Sequence, residues 1–256
     1  MHVTGVLLGF VIGLSLGLLG GGGSILTVPV FVYILGFGAK ESIAMSLVVV
    51  GATSLVGAVR HWHEGHVNVR VASIFGAVAI VGTYLGTRLA TRLSGAEQLA
   101  IFATIMLVAA GIMLRGHQAD AGSPAAQPSS SVAWTAIQGL VVGLLTGLAG
   151  VGGGFLIVPA LVWGGLPMRD AVGTSLLVIA MNCVMGFYGY VGEVKVAWLS
   201  VALVMAGAMP GIATGTYAMR FVSQQALRRA FAVLLFGVAI YMLYRNLGSL
   251  KSASLR

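Results

Sequence analysis

The chain has 256 residues, of which 58% are apolar and only 8% charged, with a mean hydropathy of +1.01. A water-soluble domain carries roughly a quarter charged residues to solvate its surface, so this composition excludes a soluble globular protein and fits a chain whose solvent is hydrocarbon. The net charge of +8 comes from 14 Lys and Arg scattered through short loops and the C-terminal tail; this excludes a nucleic-acid-binding face and leaves the lipid bilayer as their partner.

In chain order, apolar runs predict helices at 3–19, 24–37, 42–59, 71–87 and 99–114, and again at 132–149, 154–166, 171–190, 196–217 and 227–244. The runs are unbroken rather than alternating, which rules out a porin-type barrel. The expected fold class is therefore all-α: a polytopic membrane helix bundle of about eight spanning helices, some broken or re-entrant at glycine-rich loops. No Lys or Arg precedes Lys40, so 3–19 is expected to be a retained helix rather than a cleaved signal peptide. The run 24–37 is too short to cross a ~30 Å core comfortably, and reads either as a half-helix completing the crossing before it or as part of a re-entrant hairpin. The single cysteine, Cys183, lies among Met181, Val184 and Met185 and is expected to be a packed thiol. Gly111 is read as a packing glycine.

Between the two sets of runs, His117 to Ser131 reads HQADAGSPAAQPSSS, a composition that builds no core. It divides the chain into a first transmembrane repeat (1–116), a solvated linker (117–131) and a second transmembrane repeat with a short basic tail (132–256). The halves read as copies. Gly17 to Pro29 matches Gly147 to Pro159, Lys40-Glu41 answers Arg169-Asp170, Met45-Ser46-Leu47 answers Thr174-Ser175-Leu176, and Gly82, Gly86 and Thr87 answer Gly211, Gly215 and Thr216. Duplication of this kind is a recurring design of secondary transporters, with substrate bound between the repeats near mid-membrane. Lys and Arg divide equally between the two sides whichever way the short runs are counted, so charge assigns neither orientation nor parallel against inverted repeats.

The feature most suggestive of chemistry is the glycine loop in each half, Gly20-Gly21-Gly22-Gly23-Ser24 and Gly150-Val151-Gly152-Gly153-Gly154. Glycines cost roughly 1 kcal/mol each in a helix interior, and lipid offers the freed backbone no hydrogen bonds. Such a break at membrane depth is tolerable when buried in protein or facing a watery cavity. Each loop opens into a helix start, whose free N–H groups and positive dipole end suit an anion. The candidate substrate-binding residues are accordingly Gly21, Gly22, Gly23, Gly152, Gly153 and Gly154, with Ser24 as an added hydroxyl donor. The competing reading of the same glycines is close helix packing and ordinary turns.

These motifs resemble the sulfite exporter TauE/SafE family, also called the toluene-sulfonate uptake permease family. The resemblance rests on G-x-x-G-x-G-G-G followed by an apolar stretch and Pro in both halves, and on Gly65-His66-Val67-Asn68 after the third run. It covers nearly the whole chain. It implies a multi-pass permease or exporter of the bacterial inner membrane acting on small sulfur-containing anions such as sulfite, sulfoacetate or other sulfonates.

Polar residues within the runs complete the candidate site. Ser46, Thr53 and Ser54 occupy the third run, and Thr174, Ser175 and Asn182 its partner; Ser46 and Thr53, like Ser175 and Asn182, are seven apart and so share a helix face. Substrate contact and helix-to-helix hydrogen bonding both remain open for each, with Asn182 the costliest to leave unpaired. Arg88 reads as a snorkelling side chain or a substrate counter-charge. No cofactor and no enzymatic activity are expected, and a homo-oligomer is compatible with the composition. Rival readings are a passive anion channel and an intramembrane metal-dependent enzyme using the His61–His66 loop, whose spacing departs from the helical zinc-protease motif.

Overall fold

The computed structural model describes residues 2–115, 132–149, 154–190 and 192–253. The linker and the predicted site residues Gly152 and Gly153 lie outside these. Among the described residues there is no strand, and the helices run in the order α1 (His2–Leu19), α2 (Gly22–Pro29), α3 (Ala39–His63), α4 (Val69–Ala90), α5 (Gly95–Arg115), α6 (Val132–Ala149), α7 (Gly154–Trp163), α8 (Met168–Tyr190), α9 (Trp198–Met219) and α10 (Gln224–Ala253). The expected all-helical class therefore holds. Helices α3, α4, α8, α9 and α10 are each long and apolar enough to cross a membrane, while α1, α5 and α6 carry shorter apolar stretches.

Local chemistry explains where the helices start and stop. Gly20, at φ +66°, turns the chain between α1 and α2 in a conformation that L side chains disfavour. Pro29 ends α2, and Val30–Ile34 continues it as a π turn closed by Leu35 N–H donating to the Val30 carbonyl at 2.9 Å. The Asn68 side chain caps α4 by accepting from Val71 N–H at 3.0 Å. Ser94 and Glu97 form a capping box at the start of α5, with Ser94 N–H donating to Glu97 Oε2 at 2.7 Å and Glu97 N–H donating to Ser94 Oγ at 3.3 Å.

Of the two readings of the 24–37 run, the structure adopts the hairpin. A Cβ on Gly23 would lie 2.5 Å from the Ile12 carbonyl oxygen and 2.6 Å from Leu16 Cβ, so α2 turns back alongside α1 instead of continuing it.

Tertiary packing is dominated by small residues laid on neighbouring backbone. Gly9, Gly13 and Gly17 of α1 rest on the carbonyls of Val204, Ala208 and Ile212 of α9, and Gly207, Gly211 and Gly215 rest in turn on those of Val6, Phe10 and Leu14. Both sets advance together, so α1 and α9 are parallel. The same arrangement joins α6 to α4: Gly139, Gly143 and Gly147 lie on Phe75, Ala79 and Thr83, and Gly82 and Gly86 lie on Leu140 and Leu144. Helix association in lipid gains little from burying apolar surface, so this backbone contact and its Cα–H···O interactions, about 0.5–1 kcal/mol each, carry the cohesion. Helices α3 and α8 cross at the middle of the molecule. Leu47 meets Gly186, Gly51 meets Cys183 and Leu176 meets Gly57, an order that makes the two helices antiparallel. Cys183 is buried there, as expected of a packed thiol. Helix α5 packs on α10.

Outside this core, large apolar side chains such as Leu7, Val141, Val184 and Phe236 are exposed on the bundle, as lipid contact requires. Exposed Trp62, Trp163 and Trp198 stand at or near helix ends, where amphipathic rings meet the headgroup layer.

Candidate functional site

The first glycine loop is neither a surface turn nor lipid-facing. Gly20, Gly21, Gly23 and Ser24 are all buried. Gly20 packs against α8, where a Cβ would stand 2.9 Å from Ser175 Oγ. Gly21 meets Gly154 backbone to backbone: a Cβ on Gly21 would collide with the Gly154 carbonyl, and one on Gly154 would lie 2.8 Å from Gly21 Cα and 3.1 Å from Ser24 Oγ. The structure thus brings Gly21, Ser24, Gly154 and Ser175 into one cluster. Gly22 is the first residue of α2 and Gly154 the first of α7, so the starts of both short helices converge there.

The hydroxyls around the loops behave differently from the donors expected. Ser24 Oγ donates to the Gly21 carbonyl at 2.6 Å, Ser46 Oγ to that of Ile43 at 2.7 Å, Thr53 Oγ1 to that of Val49 at 2.6 Å and Ser175 Oγ to that of Val172 at 2.8 Å. Each proton is committed to the residue's own turn, which leaves oxygen lone pairs facing outwards. Thr174 stands apart from the loops: its Oγ1 accepts from Asn68 N–H at 2.9 Å, tying α8 to the start of α4. Thr27, which the sequence did not single out, joins the same pattern by donating to the Gly23 carbonyl at 2.7 Å.

Two polar groups at the α3–α8 crossing are uncommitted. Asn182 is 0% exposed, and neither its amide nitrogen nor its oxygen has a hydrogen-bond partner. Ser54 Oγ, on α3, is likewise buried and unpartnered. Asn182 immediately precedes Cys183, which meets Gly51 of α3, and Ser54 lies one turn beyond Gly51, so both stand next to a close contact of the two helices. An unpaired buried amide costs about 1–3 kcal/mol, a cost that a bound polar ligand removes.

The remaining candidates separate from this cluster. Arg88 is exposed, donating Nε to Tyr84 OH at 3.2 Å with its guanidinium over that ring, which is the snorkelling arrangement. In the His61–His66 loop, His66 Nδ1 pairs with Asp170 Oδ1 at 2.9 Å while His61 is fully buried with both ring nitrogens unpartnered. Among the described residues no group of three or more His, Cys, Asp or Glu side chains is arranged to hold a metal ion.

Sequence reasoning missed the small-residue stripes at spacing four on α1, α6 and α9, which are visible in the sequence as Gly9-x3-Gly13-x3-Gly17 and its counterparts. It also missed two cation staples. Lys40 Nζ donates to the Thr91 carbonyl at 3.0 Å, and Arg169 Nη2 donates to those of Arg220 at 3.2 Å and Val222 at 3.4 Å, each closing the C-terminal end of α4 or α9.

Residues 5–242 match the family described as Sulfite exporter TauE/SafE. The chain is 35% identical over 250 residues to a probable membrane transporter protein of Xylella fastidiosa, covering 94% of this chain and 95% of that one. It is 26% identical over 233 residues to the probable membrane transporter protein YdhB of Bacillus subtilis, covering 88% and 93% of the two chains. A probable membrane transporter protein of Methanocaldococcus jannaschii is 27% identical over 215 residues, covering 78% of this chain and 79% of its own. No solved structure matches the chain. With a helical, lipid-compatible bundle and a family match from end to end, the chain belongs to the sulfite exporter TauE/SafE family of multi-pass membrane transporters.

Proposed function

We propose that the protein moves small sulfur-containing anions, such as sulfite, sulfoacetate or related organosulfonates, across the inner membrane by alternating exposure of one central site. The observation that carries this reading is Asn182, a fully buried amide with no partner for either polar atom, at the crossing of α3 and α8. Ser54 supplies a hydroxyl from α3, and the converging helix starts at Gly22 and Gly154 supply backbone N–H groups and two positive dipole ends. Gly22, Gly152 and Gly153, having no side chains, would leave those groups open to an anion, while Gly21 and Gly23 hold the first loop in place by packing on Gly154 and Ile12. Ser24, Ser46, Thr53 and Ser175 would turn hydroxyl protons from their own helix carbonyls towards the ligand when it arrives, and Thr174 braces α8 against the start of α4.

The movement follows from the architecture. Read as two copies, α1–α5 and α6–α10 give eight crossings, with α2 and α7 as re-entrant segments. Supporting this are the exchange of α1 with α9 against α6 with α4, and the paired staples of Lys40 and Arg169. Helices α3 and α8 would be equivalent, and their antiparallel crossing then makes the repeat inverted, the arrangement that lets one half rock against the other.

Purified protein in proteoliposomes loaded with unlabelled sulfoacetate tests the reading. Saturable entry of labelled sulfoacetate, accelerated by the internal anion, is the expected result. Entry without saturation or acceleration marks a channel, and no entry of sulfite, sulfoacetate or methanesulfonate overturns the proposal.

A further inference from the structure

Two cavities open at opposite ends of α3. One, of about 430 Å³, is lined by His63, Glu64, His66, Arg169, Met219 and Arg220. The other, of about 550 Å³, includes Lys40, Glu41, Glu193 and Lys195 in its wall. They share corresponding parts, the first taking the loop after α3 and the start of α8, the second the loop after α8 and the start of α3; the end of α9 completes the first and the start of α5 the second.

Their charges do not correspond. In the second cavity two lysines face two glutamates and balance. In the first, two guanidiniums face one carboxylate, and that carboxylate is shared: Glu64 Oε1 receives Arg220 Nη2 at 2.6 Å and Arg60 Nε at 3.7 Å. Asp170, close by, is taken up by His66 at 2.9 Å. Arg169 directs Nη2 to the carbonyls of Arg220 and Val222, but its Nε is buried with no hydrogen-bond partner. The first cavity therefore holds surplus positive charge and two guanidiniums, whose planar fork matches an oxyanion. Its equivalent at the other end lacks both.

We infer that the cavity between Arg169 and Arg220 is an outer binding site for the transported oxyanion, collecting it at one membrane face only. This rests on the transporter reading above and adds which face the sulfonate or sulfite group meets first. A cleft with net positive charge raises local anion concentration, so the site lowers the half-saturating concentration on its own face without altering the turnover of the loaded carrier.

The test is labelled sulfoacetate flux in right-side-out and inside-out vesicles at low ionic strength. Arg220→Gln is expected to raise KM by about three- to tenfold in one vesicle orientation and not the other, with the maximal rate kept. Arg220→Lys, which retains the charge, should restore most of the parent KM, and Lys195→Gln at the opposite cavity should leave both orientations unchanged. Glu64→Gln provides a readout of opposite sign, because it frees Arg220 and Arg60. A fall in KM on the same face is expected, which damage to the fold cannot produce, so the inference stays testable if Arg220→Gln does not reach the membrane. An unchanged KM in Glu64→Gln, or equal shifts in both orientations, overturns the outer site while leaving the transporter intact. Absence of sulfoacetate flux in the parent protein overturns the transporter reading and the outer site together.

Discussion

Gly13 of α1 lies directly on the main-chain carbonyl of Ala208 in α9, with no room for a side chain between them. Gly143 of α6 stands in the same relation to Ala79 of α4. These contacts define where bulk is forbidden. Gly13→Ala or Gly143→Ala forces the helices apart and should cost about 1–3 kcal/mol, read as a lowered thermal midpoint in detergent. Gly111, by contrast, has open space around its Cα, so Gly111→Ala should be neutral or stabilising by up to about 1 kcal/mol.

Asn182→Leu separates a structural role from a ligand-binding one. Replacing an unpartnered buried amide with an apolar side chain of similar size removes a desolvation cost, so thermal stability should be kept or raised by about 1 kcal/mol. Anion flux should nonetheless fall by about tenfold or more if the amide binds the substrate, since a lost charge-assisted hydrogen bond costs about 1.5–3 kcal/mol. A variant that is both more stable and fully active would show that Asn182 makes no contact with the anion.

The loop contact between Gly21 and Gly154 makes a further prediction. Gly21→Ala pushes a methyl into the Gly154 carbonyl and should abolish flux. Gly20→Ala instead meets the positive φ, and should destabilise by about 1–2 kcal/mol. Flux per correctly inserted molecule, normalised by quantitative blotting, distinguishes the two effects.

His61, like Asn182, is fully buried with both of its polar side-chain atoms unpartnered. His61→Phe keeps an aromatic ring while removing both unpartnered nitrogens, so the thermal midpoint should hold or rise. A metal-dependent reading of the His61–His66 loop predicts instead that chelator treatment mimics this substitution. Unchanged sulfoacetate flux after dialysis against EDTA is the expected outcome.

The helices were legible in the sequence because each is an uninterrupted apolar run, and lipid leaves the backbone few alternatives to a helix. The fold-back of α2 was not, since fourteen apolar positions suit a half-helix as well as a hairpin, and only the tertiary contact of Gly23 with Ile12 and Leu16 decides between them. The α1 stripe of glycines was likewise present as a spacing, but a spacing does not name its partner helix. At the site, the repeated motif paired the two loops, but it does not reveal that Gly21 meets Gly154 backbone to backbone, which only tertiary packing decides. The hydroxyls do not act as expected: Ser24, Ser46, Thr53 and Ser175 each donate to their own helix turn, a local competition that any Ser or Thr in a helix faces.

The docking of α1 on α9 also governs how the protein is made. About three quarters of the 256-residue chain separates Gly9 from Val204, and translation proceeds at about 5–20 residues per second, so α1 waits on the order of ten seconds or longer for its neighbour to leave the ribosome. Through that interval its glycine stripe faces lipid or a helper protein, a polar backbone seam with nothing yet laid over it. Insertion cannot therefore complete one half before the other begins. A nascent chain arrested before α9 should be a substrate for membrane quality-control proteases, while the same fragment supplied alongside separately synthesised α9–α10 should be rescued from them.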